Sequence, residues 1–108
     1  MAIISCKDKK TQRFLAGEPV KEFQAFAEPA IETLSIIDAA NKLGDLRNPP
    51  GNHFEALGGD RKGEYSVRIN RKNRVCFRWA PHASNPAGAD ILQTTGDAYD
   101  VKIEINYH

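Results

Sequence analysis

Along residues 22–43 the apolar positions Phe23, Phe26, Ala30, Ile31, Leu34, Ile37, Ala40 and Leu43 recur every three or four residues, the spacing of one face of a helix. Pro29 falls inside this run. A proline is tolerated in a first turn, so the helix either starts near Glu28 or kinks there. Gly44 stands where a helix C-cap is expected, and Asn48-Pro49-Pro50-Gly51-Asn52 admits no regular element. Upstream, Ile3 and Ile4 mark a short strand over residues 2–5, and the polar stretch 8–13 a short helix ending at Gly17.

Beyond the prolines the period changes to two. Tyr65, Val67 and Ile69 alternate with Ser66, Arg68 and Asn70, and Val75, Phe77 and Trp79 alternate with Arg74, Cys76 and Arg78. Residues 99–106 repeat the pattern with Val101, Ile103 and Ile105 against Asp100, Lys102 and Glu104. A short strand is expected over 54–57 and a turn at Gly58-Gly59-Asp60. Residues 80–98, rich in Pro, Gly, Ala, Ser and Asn, read as a long mobile loop. Helices first and strands last predict a single α+β domain over 1–108. Its sheet is antiparallel, mixed at one edge, of about four to five strands, with two N-terminal helices packed on one face.

The two middle strands must pair so that their apolar members share a face. Matching Ile69 with Val75, Val67 with Phe77 and Tyr65 with Trp79 achieves this, and leaves the loop Arg71-Lys72-Asn73 with Asn73 free to turn left-handed. The opposite face then carries Arg68, Arg74 and Arg78, whose planar guanidinium groups can grip phosphate oxygens in pairs. Exposed arginines on a half-wet sheet are commonly only solvated, so this pattern alone does not make a site.

Composition narrows the choice of partner. A chain of 108 residues with 41% hydrophobic and 27% charged residues suits one soluble domain, and no apolar run reaches the roughly 18 residues of a membrane span. Cys6 and Cys76 lack CxxC spacing, and with a chain starting at Met1 and no signal peptide in view, free thiols in the cytoplasm are expected. No cluster of His, Cys, Asp and Glu has metal-ligand spacing, so neither metal nor cofactor is expected. The net charge of +1 hides a dipole: acids dominate residues 18–60, whereas Arg61, Lys62, Arg68, Arg71, Lys72, Arg74 and Arg78 face the single acid Glu64. A basic strip suits a polyanion. The last strand carries Tyr107 and His108, both proton-transfer groups, toward the same arginines. The terminal carboxylate favours a charged His108 imidazolium.

Several ordered motifs, Asp45-Leu46-Arg47-Asn48-Pro49-Pro50-Gly51-Asn52-His53-Phe54-Glu55-Ala56-Leu57, Gly59-Asp60-Arg61-Lys62-Gly63, Ser66-Val67-Arg68-Ile69-Asn70, Asn73-Arg74-Val75-Cys76-Phe77-Arg78-Trp79 and the terminal Tyr107-His108, resemble the HigB-type toxins of the RelE/ParE superfamily. The resemblance implies a RelE-like fold, cleavage of messenger RNA on the translating ribosome, and inhibition by a HigA-type helix–turn–helix antitoxin. By position it implies that Arg68 and Arg74 serve the phosphate and its transition state, and that Tyr107 and His108 are the catalytic pair. Asn70, Arg61, Arg71, Lys72, Arg78 and His53 are expected to contact RNA. Gly58 and Asn106 depart from the family, where a lysine and an acidic residue are common, and His53 or Arg61 is a candidate substitute for the missing lysine. The 80–98 connection is longer than usual, either an insertion or an antitoxin contact.

Metal-independent cleavage needs in-line placement of the 2′-hydroxyl, charge stabilisation at phosphorus and proton transfer. Tyr107 is expected to orient or help deprotonate the 2′-hydroxyl, and His108 to protonate the leaving 5′-oxygen or hold the phosphate. A ParE-like non-catalytic toxin that poisons gyrase and a degenerate interaction module are the alternatives.

Overall fold

The Asp8 carboxylate accepts a hydrogen bond from the Thr11 amide at 3.0 Å and opens helix α1, Lys9–Leu15. The helix stops before Gly17, whose φ of +89° suits a residue without Cβ. In this computed structural model, which describes residues 2–107, helix α2 spans Ala27–Ala39. It is shorter than the apolar periodicity suggested, because its two flanks are 3₁₀ turns, Lys21–Phe26 and Leu43–Arg47. Pro29 lies in the first turn of α2, where its missing N–H costs nothing.

Gly44 is not the C-cap of α2, a role that falls to Ala40. It lies inside the Leu43–Arg47 turn, and a Cβ there would stand 2.7 Å from the Leu92 carbonyl oxygen. The glycine is needed for the approach of a distant loop. Asn52, which is buried, donates to the carbonyls of Leu46 and Asn48 at 3.2 and 3.1 Å and closes the proline-rich turn, part of which winds as a 3₁₀ helix at Pro50–Asn52.

Four antiparallel strands follow in chain order: β1 Glu55–Ala56, β2 Glu64–Arg68, β3 Arg74–Pro81 and β4 Gly96–Glu104. The N-terminal segment adds no full strand. It makes parallel bridges from Ile3 to Ala98 and from Cys6 to Val101, so the sheet is mixed at the β4 edge. The helices and the inner sheet face enclose one core of Phe14, Phe23, Phe26, Leu34, Ile37, Val67, Val75, Phe77, Trp79, Val101 and Ile103. Phe14 and Phe23 meet edge to face at 5.5 Å. This apolar burial is the main source of stability. Among the described residues no helix is long and apolar enough to cross a membrane.

The β2–β3 register differs from expectation by two residues. Tyr65 pairs with Phe77, Val67 with Val75, and Arg68 with Arg74. An even shift keeps every side chain on its expected face, so the alternation could not discriminate the two registers. The loop decides. The Asn70 side-chain oxygen accepts from the amides of Lys72 and Asn73 at 3.0 and 2.9 Å, while the Asn73 carbonyl accepts from Ile69 and Asn70, widening the turn to residues 69–73. Asn73 has no positive φ, contrary to the three-residue turn expected.

The connection after β3 is also more ordered than its composition suggests. β3 runs on to Pro81 and β4 begins at Gly96, with Trp79 opposite Ala98. Asn85 bonds both ways to Thr95, Nδ2 to the carbonyl at 2.8 Å and Oδ1 from the amide at 3.0 Å. Leu43 donates to Thr94, and Trp79 Nε1 donates to the Thr94 hydroxyl at 3.1 Å, fastening the loop to the core.

Candidate active site

The altered register brings Arg68 and Arg74 directly opposite each other at the loop end of β2 and β3. Beside them lies an open cleft of about 260 Å³ lined by His53, Glu55, Arg68, Asn70, Arg71, Arg74 and Tyr107. Thr33 on α2 helps to seat this end of β2, its hydroxyl lying 3.3 Å from the Arg68 carbonyl.

The two arginines are held differently. Arg74 is 9% exposed: Nε donates to the Ser66 hydroxyl at 2.8 Å, and Nη2 donates to the carbonyls of His53 and Ser66. Glu55 stands 3.8 Å from the same Nη2. Among the described residues Nη1 has no protein acceptor, leaving its two N–H groups for a ligand. Arg68 is half-buried, with Nη1 3.1 Å from His53 Nε2. A guanidinium can only donate, so in this hydrogen bond Nε2 of the imidazole is the acceptor. His53 has φ of 46°, a left-handed conformation that histidine tolerates better than most residues. That turn sends its carbonyl to Arg74 and its ring to Arg68.

Tyr107 closes the cleft. Its amide donates to the Lys72 carbonyl at 2.7 Å, and its ring lies 5.5 Å from the Arg74 guanidinium carbon and 5.9 Å from that of Arg61. Burial, with Cys76 and Glu55 behind it, pushes the phenol above its ordinary range; Arg61 and Arg74 only partly oppose this. Tyr107 is therefore a neutral donor at physiological pH, better suited to orient or donate than to remove a proton. The preceding Asn106 has φ of 54° and its amide donates to Asn73 Oδ1 at 3.1 Å. Asparagine is among the residues that adopt this conformation most readily. His108 lies outside the described residues.

Arg61 and Arg78, although in the basic strip, are engaged elsewhere. Arg61 bonds Glu64 and Glu104, and Arg78 lies 3.9 Å from Glu64. The Arg61 hydrogen bonds hold Glu64 below the usual carboxylate range. Burial raises Glu104, but hydrogen bonds from Arg61 and Cys76 outweigh it and leave that carboxyl lowered too. The buried Cys76 thiol is pushed up to about 12 by burial and by Glu104. The outward face of the sheet is thus not open at its centre: Glu64, Ser66, Arg74 and Cys76 are all buried. Arg71 lines the cleft, while Lys72, exposed, and Asn70 serve the loop through backbone and side chain. Gly58 is exposed and outside the cleft lining, and a Cβ there would touch nothing.

Sequence reasoning passed over Glu55, the carboxylate that lines the cleft, and Ser66, which anchors Arg74. A charge count favoured basic residues, and Glu55 sits in a strand of two residues with too little pattern to read.

Comparison with known proteins agrees with the fold and motifs. A solved YoeB/ParE toxin from Agrobacterium tumefaciens superposes with a TM-score of 0.56 over 99% of this chain and 100% of that one, at 14% identity, which speaks for the fold alone. Toxin HigB-1 of Vibrio cholerae is 52% identical over 46 residues, 43% of this chain and 48% of the relative. An uncharacterized protein of Haemophilus influenzae is 35% identical over 52 residues, 48% of this chain and 52% of that one. The matches thus span about half the length of each relative. The model of RelE-like HigB toxins of type II toxin–antitoxin systems matches residues 5–91, well over half of the sequence, and with it the chain belongs to the HigB-like toxin family.

Proposed function

We propose that this toxin is a ribosome-dependent endoribonuclease that cleaves messenger RNA by attack of a 2′-hydroxyl on the adjacent phosphorus, without a metal, and so inhibits translation. The observation that carries the reading is the convergence of Arg68, Arg74, Tyr107, His53 and Glu55 on one open cleft. At about 260 Å³ it is smaller than the roughly 300–1,000 Å³ of pockets that enclose small molecules, and suits a phosphodiester link presented from outside.

Each chemical need has a candidate. Arg74, fixed by Ser66 and the His53 carbonyl, presents Nη1 to the phosphate without reorganising, which is where transition-state charge stabilisation is most effective. Arg68 supplies the second guanidinium. Glu55 accepts the 2′-hydroxyl proton, a task for which the neutral Tyr107 phenol is poorly suited; Tyr107 instead donates to the phosphate or orients the ribose. His108 protonates the leaving 5′-oxygen. Asn70, Arg71, Lys72 and His53 border the path of the RNA on either side. The partners in this reading are the ribosome with its message and a HigA-type antitoxin, in the cytoplasm.

The test is primer-extension mapping of messages after induced expression. The wild-type chain yields discrete new 5′ ends; Arg68→Ala and deletion of Tyr107 and His108 abolish both the ends and growth arrest. Growth arrest that survives the deletion, with messages intact, would assign the chain to the non-catalytic toxins.

A further inference from the structure

Arg61 belongs to the strip of basic residues that suggests RNA, yet its surroundings give it another task. It ends the 3₁₀ turn Gly59–Arg61 and its side chain is 34% exposed. Nε and Nη2 donate to the two oxygens of Glu64 at 3.2 and 2.9 Å; Nη1 donates to Glu104 at 3.0 Å, and Nη2 reaches the same carboxylate. Both hydrogen-bonding edges of the guanidinium are committed. One cation between two carboxylates carries a net negative charge, so the group adds nothing to the pull on a polyanion.

With its N–H groups committed, Arg61 still sets its guanidinium carbon over the Tyr107 ring, 5.9 Å from the ring centre. Arg74 lies 5.5 Å from the same ring. The backbone before the ring is pinned by the hairpin loop, through Asn73 Oδ1 to the Asn106 amide and the Lys72 carbonyl to the Tyr107 amide. Backbone anchors fix where the residue begins but leave the ring its χ rotations, and the cation faces limit those. Glu104 ends β4 and pairs with Arg74 across the strands, so the carboxylate that holds Arg61 is itself carried by the strand that delivers Tyr107.

We propose that Arg61, held by Glu64 and Glu104, is a positioning residue that orients the Tyr107 ring over the cleft and makes no contact with RNA. This rests on the nuclease reading of the cleft, but its first test does not need activity.

The full-length chain is labelled with ring-¹³C tyrosine, and Tyr107→Phe identifies the Tyr107 signal among the three tyrosines. Arg61→Lys and Arg61→Met move the Tyr107 signals, and Arg61→Met, which loses the positive charge, also raises the pH at which that phenol titrates, while Tyr65 and Tyr99 stay in place as reporters of an intact fold. In a ribosome-bound message assay, Arg61→Met lowers kcat by about 100-fold with KM unchanged, the size of effect a small misplacement of a reacting group causes, and Arg61→Lys restores part of it. The proposal is overturned if the Tyr107 signals do not move in folded Arg61→Lys. It is equally overturned if kcat holds while KM rises and the salt dependence of RNA binding becomes shallower by about one phosphate contact. Should Arg61→Met fail to fold, Arg61→Lys carries both readouts. Should the wild-type chain cleave no RNA, the nuclease reading fails and the tyrosine spectra still decide the positioning role.

Discussion

The sheet carries two sets of arginines of equal formal charge and opposite circumstance. At the loop end, Arg68 and Arg74 stand opposite each other beside an open cleft, and the carboxylate in its lining, Glu55, is 3.8 Å from Arg74 and largely exposed. In the second set, Arg78 and Arg61 share Glu64, and Arg61 also takes Glu104, which faces Arg74 across the strands. A count of bases along the chain treats these regions alike. Their hydrogen bonds separate Arg61 from Arg74, because a guanidinium bonded along both edges to carboxylates has little to offer a phosphate, whereas one bonded to neutral carbonyls and a hydroxyl keeps free N–H groups for the ligand.

The contrast is sharpest at Arg74. Arg74→Ala is expected to lower message cleavage by about 10²–10³-fold. It is also expected to cost about 1–3 kcal/mol of folding stability, since buried acceptors at Ser66 and His53 lose their donor. Urea unfolding beside the cleavage assay measures both, and Arg74→Ala that unfolds like the wild-type chain would show the buried bonds to be incidental. Arg68→Ala is expected to reduce cleavage by roughly 100-fold while shifting stability by less than about 0.5 kcal/mol, because it removes one partner at the rim rather than a buried hub.

Acid tests the carboxylates of the second set. Glu64 and Glu104 have folded pKa values below their ordinary range. Their contribution to stability is therefore complete above about pH 4.3, the unfolded value for glutamate, and is lost as pH falls through the folded values. Urea midpoints measured downward from pH 6 should drop across that window, and Glu104→Gln should flatten the drop. The smallest effect belongs to Arg78→Ala: cleavage unchanged and stability within about 1 kcal/mol, as for a solvent-screened pair. Cleavage that falls as far as in Arg68→Ala would erase the distinction between the two sets.

Much of this arrangement is legible in the residues. Asp8 and Gly17 bracket α1, the alternation in β2, β3 and β4 names the buried face, and the ordered motifs around Arg68, Arg74 and Tyr107 lead to the family. What escapes a linear reading is fixed by distant or side-chain partners. The hairpin register turns on the Asn70 side chain, since both even registers satisfy the hydrophobic pattern. Helix α2 ends earlier than its periodicity because 3₁₀ turns place apolar residues at nearly the same spacing. The loop after Pro81 is ordered by Asn85 and Thr95, and Gly44 owes its place to Leu92, pairs with no local signature. The bond from Arg61 to Glu104, 43 positions away, likewise leaves no mark in the linear sequence.

The sheet's two margins have a consequence for recognition. Along β4 the outer backbone groups are already used: Ile4 donates to Ala98, Lys7 to Val101, Val101 to Ser5, and Ile103 to the Thr11 hydroxyl. The opposite margin, β1, is two residues long. Among the described residues neither offers a long row of free amides and carbonyls, so a partner that binds by lengthening the sheet finds little edge to pair with. The same covering leaves little edge on which copies of the chain could stack.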